Sequence, residues 1–150
     1  MKVSKTPGDV IVTHALGSCL GIAVHDPVAV VGGLLHVMMP EGRMNAEKAA
    51  ANPCMFVDTG VPALFRELYA VGGVKNRLII KVAGGANVHK IHNDRFRIGK
   101  RNYIILKKLL WKNSVLIDAE DVGGSVPRTM YLQIGSGRTW LSSAGVEKNL

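Results

Sequence analysis

A chain of 150 residues that is 47% hydrophobic suffices for one compact domain with an ordinary core. No apolar run approaches the roughly 18 residues that a membrane span requires, and Pro7, Gly8 and Asp9 interrupt any signal-peptide stretch, so a cytoplasmic protein without membrane insertion is expected. The formal charge of +8 is uneven: eleven of the nineteen Lys and Arg residues fall between Lys75 and Lys112, against the single acid Asp94. Such a field favours an acidic partner, the alternative being a solvated basic surface. Nucleic acid is disfavoured, because the segment has few aromatics for base stacking and no binding motif. Two cysteines, Cys19 and Cys54, are too few for a disulfide framework, and reduced thiols are preferred over a Cys19–Cys54 bridge.

In chain order, Val10 to Thr13 is β-branched throughout and reads as a strand. Leu20 to His25 reads as a second, ended by the Asp26-Pro27 turn. Val28 to Met39 is apolar almost without relief, as in a strand buried on both faces, and the three together suggest a β-meander. Residues 41 to 55 read as a long loop with a short helical turn from Asn45 to Ala51. Asp58 is the expected cap of the next helix, whose Val61, Leu64, Phe65 and Leu68 recur at i, i+3, i+4 and i+7 and which ends near Gly72-Gly73. Pro62 is admissible there only in the first turn.

Arg77 to Ala83 reads as a core strand running into Gly84-Gly85, and His89 to Arg97 as a polar, basic loop. A second helix is expected from about Gly99 to Trp111, with Ile105, Leu106, Leu109 and Leu110 inward and Lys100, Lys107 and Lys108 outward. Ser114 to Val122, Arg128 to Ile134 and Thr139 to Ser142 read as closing strands, with turns at Gly123-Gly124 and Gly135-Ser136-Gly137. The outline is a single α+β domain over residues 1–150, with no internal repeat.

The chemistry concentrates in Thr13-His14-Ala15-Leu16-Gly17-Ser18-Cys19 and in His36. If their runs are neighbouring strands, a thiol and an imidazole meet at one edge, the minimum equipment for thiolate attack on a carbonyl carbon. Gly17 and Ser18 leave little bulk beside the sulfur, and a tight turn there aims backbone N–H groups toward an oxyanion. Against this stands the ordinary role of a lone cysteine as an inert small hydrophobe, and of a core histidine bonded to backbone. Thr13 offers a hydroxyl to orient the imidazole, the role of an Asp or Asn in other triads. Cys54, after Pro53, is the weaker thiol. His14, His25 and His36 at equal spacings, and His89-x-x-His92, invite a metal site, but no acidic ligand accompanies them. Phosphate-loop and dinucleotide fingerprints are absent.

Several segments then resemble one family in order along nearly the whole chain. They are Thr13-x-x-Leu16-Gly17-Ser18-Cys19, Asp26-Pro27, Gly32-Gly33-Leu34-Leu35-His36-Val37-Met38-Met39-Pro40, Asp58, Lys81-Val82-Ala83-Gly84-Gly85-Ala86, Ile98-Gly99-Lys100-Arg101-Asn102 and Asp121-Val122-Gly123-Gly124-Ser125-Val126-Pro127-Arg128. They look like the CheD family of chemoreceptor glutamine deamidases. The resemblance implies two packed mixed β-sheets flanked by helices, similar to the cytotoxic necrotizing factor-type cysteine deamidases. It implies hydrolysis of glutamine side-chain amides on chemoreceptor cytoplasmic domains, with Cys19 as nucleophile, His36 as general base, Thr13 as third member and Gly17 and Ser18 shaping the oxyanion site. No metal or organic cofactor is implied, and the CheC phosphatase is the implied partner. The chain departs from the family at His14-Ala15, where an apolar residue and Gly are usual, and in a short stretch before Thr13 that shortens the first edge strand.

Overall fold

The computed structural model describes residues 1–87 and 97–150. Five strands make the first sheet, in the order β1 (Lys2–Ser4), β4 (Val31–Val37), β3 (Leu20–Asp26), β5 (Ile79–Gly84) and β6 (Ala119–Val122). The second contains β2 (Val10–Leu16), β7 (Arg128–Gln133), β8 (Thr139–Ser143) and β9 (Val146–Asn149). A short α1 (Ala46–Ala51) precedes the two long helices α2 (Val57–Ala70) and α3 (Ile98–Lys112).

The layering follows from strand alternation. Leu20, Ile22 and Val24 of β3, with Val31, Leu35 and Val37 of β4, pack beneath Val61, Leu64 and Leu68 of α2 and Leu106 and Leu110 of α3. The other face of the same strands carries Ala23 and Leu34 and meets Ile11, Leu16, Met130, Leu132 and Ile134 of the second sheet. Small residues set that spacing. A Cβ on Gly21 would stand 2.7 Å from Leu16 Cδ1, and one on Gly32 would stand 2.9 Å from Ile134 Cδ1. Helices, five-stranded sheet and four-stranded sheet therefore stack as three layers, and β3 and β4 are buried between the outer two.

This α+β arrangement of two packed sheets with flanking helices matches the expectation from sequence. Only the five-stranded sheet is mixed, through the parallel β5–β6 pair. The other is antiparallel throughout. The expected meander is corrected: β2 pairs with β7 and only β3 and β4 form a hairpin. The physical reason lies in burial, because β2 alternates exposed Val10 and Val12 with buried Ile11, whereas β3 is buried at every position.

Other boundaries shift for local reasons. β4 starts at Val31 because Asp26 Oδ1 accepts the Val28 and Ala29 N–H groups and closes a turn. Asp58 does not cap α2; the flanking residue is Phe56, and Asp58 Oδ1 instead accepts the Gly42 N–H at 2.8 Å. Since α2 begins at Val57, Pro62 lies within the helix rather than in its first turn, at the cost of one backbone bond. Of Ser114 to Val122 only Ala119–Val122 is strand. β1 and β9 had no clear sequence signal, the first being three residues long and the second exposed at every position. Asn45 caps α1, accepting the Lys48 N–H at 3.0 Å. The basic loop expected from His89 lies, up to residue 96, outside the described residues.

Candidate active site

Thr13 and His36 come from different sheets. Alternation on β2 turns Thr13 inward toward β4 and leaves His14 exposed on the outer surface, where Nδ1 lies 3.5 Å from Thr129 Oγ1. His36 belongs to the sheet-facing side of β4 and pairs in register with Gly21, over which Leu16 and Met130 of the second sheet pack. Thr13 Oγ1 and His36 Nδ1 lie 2.8 Å apart. With Nδ1 so engaged, Nε2 is the ring nitrogen left for proton exchange.

Cys19 sits in the turn between β2 and β3, one residue before the Leu20–Val37 pair. Its half-buried side chain packs against the inter-sheet cluster, the same side of the sheet that carries His36. Cys19 also lines a cleft of about 620 Å³ whose walls include Gly17, Ser18, Gly85, Lys100, Gly123 and Gly124. Burial pushes the Cys19 thiol above its ordinary pKa, opposed by the residue's own backbone N–H. Burial also lowers His36, helped by the N-terminal ammonium. Both shifts favour the uncharged forms.

The turn is fixed by unusual backbone. A bulge separates the Thr13–Met130 and Leu16–Arg128 pairs, and Ala15 within it has φ of 57°, a left-handed conformation costly for a residue with a Cβ. Gly at this position would adopt it freely. Beyond the bulge, Gly85 N–H donates to Cys19 O at 2.8 Å and Ala86 N–H to Gly17 O at 2.7 Å. Gly84, with φ of 111°, lies so close that any Cβ there would collide with the Cys19 carbonyl oxygen. Gly99 at the start of α3 packs directly on Gly85, where an added Cβ would stand 2.5 Å from the Gly85 carbonyl oxygen.

Two residues that sequence reasoning gave no role complete the frame. Arg128 is buried and donates to Asp121 Oδ1 at 2.6 Å, to Gly123 O at 2.9 Å and to Val126 O at 3.1 Å, holding the glycine wall of the cleft. Burial would raise the Asp121 carboxyl, but Arg128 and then Lys148 outweigh it and hold it below the ordinary value. Asn102 of α3 is fully buried, and its Nδ2 donates to Ser18 O and to Met38 O, each at 3.1 Å. Their signal in the sequence was a polar residue at an inward position of an amphipathic helix and an Asp/Arg pair flanking a glycine turn.

The remaining candidates scatter. His25 Nε2 lies 2.7 Å from Ile134 O, so His14, His25 and His36 bond to separate partners. His89 and His92 lie outside the described residues. Cys54 is half-buried and packs on the helix side of the sheet, away from the layer that holds Cys19, and both thiols are free. Among the described residues no helix is long and apolar enough to cross a membrane.

On this two-sheet α+β scaffold, a cysteine that lines a cleft and an imidazole held by a hydroxyl lie on the same side of the five-stranded sheet. The chain belongs to the CheD family: the family model described as CheD chemotactic sensory transduction matches residues 38–143. It is 46% identical over 144 residues to the probable chemoreceptor glutamine deamidase CheD 1 of Syntrophus aciditrophicus, covering 96% of this chain and 89% of that protein. It is 44% identical over 149 residues to the probable chemoreceptor glutamine deamidase CheD of Solibacter usitatus, covering 99% and 88%. To the protein of the same description from Pyrococcus abyssi it is 41% identical over 130 residues, covering 86% and 78%. The matched segment of the family model begins after Thr13, Cys19 and His36, whereas the alignments with the first two relatives extend over almost the whole chain.

Proposed function

We propose that this protein hydrolyses glutamine side-chain amides on the cytoplasmic domains of bacterial chemoreceptors to glutamate, with release of ammonia. The names of its relatives supply the substrate class. The observation that carries the mechanism is the 2.8 Å link between Thr13 and His36 on the side of the sheet that also holds Cys19. In this reading Cys19 is the nucleophile, His36 the base and Thr13 the residue that orients it.

Thr13 Oγ1 accepts the His36 Nδ1–H, which leaves the lone pair on Nε2. As the glutamine amide enters the cleft, Nε2 takes the thiol proton while sulfur bonds to the amide carbon. Negative charge moves to the amide oxygen, where backbone N–H groups at Ser18-Cys19, in the turn shaped by Gly17, receive it. The carbon–nitrogen bond then breaks, and the proton on Nε2 passes to the departing nitrogen to give ammonia. Water, deprotonated by His36, attacks the thioester; the carbon–sulfur bond breaks, glutamate leaves and the thiol recovers its proton.

Substrate docking follows from charge. Lys100 lines the cleft and Arg101 follows it, with Lys107 and Lys108 farther along α3. These cations suit an acidic receptor helix in the cytoplasm, and an acidic surface on a CheC-type phosphatase would compete for them. The test incubates wild type and Cys19→Ala with a chemoreceptor cytoplasmic fragment and assays ammonia and methanol. Ammonia from wild type alone supports the reading; methanol without ammonia would move the activity to receptor methyl esters.

A further inference from the structure

We infer that Asn102 is a positioning residue that presets the Cys19 backbone N–H as the oxyanion donor and ties that donor to the strand bearing His36. The inference rests on the proposed thiol mechanism and gives a role to Asn102, a side chain which that mechanism does not use.

Asn102 lies on the inward face of α3, fully buried, 84 residues from Ser18 along the chain. Its one Nδ2 group reaches two carbonyls: Ser18 O, on the residue before the nucleophile, and Met38 O, two residues past the base. Its Oδ1 is buried with no hydrogen-bond partner among the described residues. A buried amide that leaves its acceptor unsatisfied gains little as a core residue, since an orphaned polar atom costs about 1–3 kcal/mol. The side chain is therefore better explained by what its donor holds than by stability.

What the donor holds is a peptide plane. The Ser18–Cys19 bond is trans, so its C=O and N–H point in opposite directions. Anchoring Ser18 O on Asn102 turns the Cys19 N–H away from α3. That N–H donates to no backbone acceptor in the turns and loops among the described residues, and it approaches the residue's own sulfur. At the same time Cys19 O is occupied by Gly85 N–H, so the peptide on the other side of the cysteine is fixed as well. A donor rigidly aimed beside the nucleophile is the arrangement that stabilises a tetrahedral oxyanion without reorganisation. The second bond, to Met38 O, sets the distance between that turn and the end of β4.

Two reactions of the same sulfur separate this role from general support of the fold. Acylation by p-nitrophenyl acetate passes through an oxyanion, whereas alkylation by iodoacetamide is a displacement at saturated carbon and forms none. Asn102→Leu and the isosteric Asn102→Asp, which cannot donate when ionised, are compared with wild type in both. The expected result is a loss of about 10²-fold in the rate of acylation and in kcat for deamidation, with KM and the alkylation rate within about twofold of wild type. Equal losses in acylation and alkylation, or no loss of acylation, would overturn the inference. If Asn102→Leu does not fold, Asn102→Asp carries the comparison, with the melting curve as the check. If wild type releases no ammonia from receptor fragments, the deamidase reading fails, yet the ratio of acylation to alkylation still decides the role of Asn102.

Discussion

The two ends of the β3–β4 hairpin are built on opposite plans. At the turn, Asp26 is fully buried and both its oxygens are used. Oδ1 accepts Val28 N–H at 2.9 Å and Ala29 N–H at 3.0 Å, while Oδ2 accepts Val74 N–H at 2.9 Å and Arg77 Nη2 at 2.8 Å. Burial would raise this carboxyl, but Arg77 and the three backbone N–H groups outweigh it and hold it far below the ordinary carboxylate range. At the open end, Cys19 and His36 are each shifted toward neutrality, Asn102 Oδ1 is unpartnered among the described residues and Ala15 is left-handed. Both ends carry local strain, since Val30 in the turn is left-handed too and the neighbouring His25 Nδ1 is buried without a partner among the described residues. What differs is that the turn holds a fully used carboxylate, whereas the open end holds groups shifted toward neutrality. The contrast teaches that one pair of strands is anchored at its turn by the charged pair of buried Asp26 with Arg77, while its open end half-buries a thiol and an imidazole engaged by the uncharged Thr13 hydroxyl.

Breaking the Asp26 end has the largest expected effect on stability. Asp26→Ala leaves the Arg77 guanidinium and three N–H groups without their acceptor and should cost about 3–5 kcal/mol, read as a lower denaturant midpoint. Activity per folded molecule should be unchanged. The pH dependence has a definite sign: because the folded carboxyl lies below its unfolded value, its contribution is present above about pH 4 and is lost as pH falls toward the folded value. The Asp26→Ala protein should therefore lose less stability than wild type on acidification.

Gly84→Ala attacks the open end from behind. Its backbone conformation alone costs about 1–3 kcal/mol for a residue with a Cβ. The added carbon also displaces the Cys19 carbonyl, so activity should fall more than stability. A melting curve beside a rate assay checks this, and equal losses would mean that the turn is not a separate element. Ala15→Gly sharpens the comparison in the other direction. It relieves the left-handed residue and should stabilise by about 1 kcal/mol, with activity retained. A lower melting temperature would contradict the reading of strain.

Much of this is legible in the sequence. The apolar spacing of Val61, Leu64, Phe65 and Leu68 gave α2, and all four are buried. The family motif around Cys19 and His36 is also legible, and the structure places Thr13, Cys19 and His36 toward the same inter-sheet layer, because short segments of that kind encode local backbone shape. Long-range pairing was not legible. β2 and β3 are adjacent in sequence but lie in different sheets, although the half-exposed pattern of the first and the unbroken burial of the second distinguish them. β9 reads Val-Glu-Lys-Asn and is exposed throughout, so periodicity had nothing to detect. Asn102 and Arg128 act across chain separations or through buried ion pairs, and composition alone does not say which buried polar group meets which carbonyl.

The central claim is that Cys19 and His36 act as one unit. The direct measurement is the rate of ammonia release from a chemoreceptor cytoplasmic fragment by wild type, Cys19→Ala, His36→Ala and the double variant, with mass spectrometry following the conversion of each glutamine. The account predicts that each single variant falls by about 10⁴-fold or to background, and that the double variant is no worse than Cys19→Ala alone. Retention of most of the wild-type rate by His36→Ala would contradict it and would require another base at the cleft.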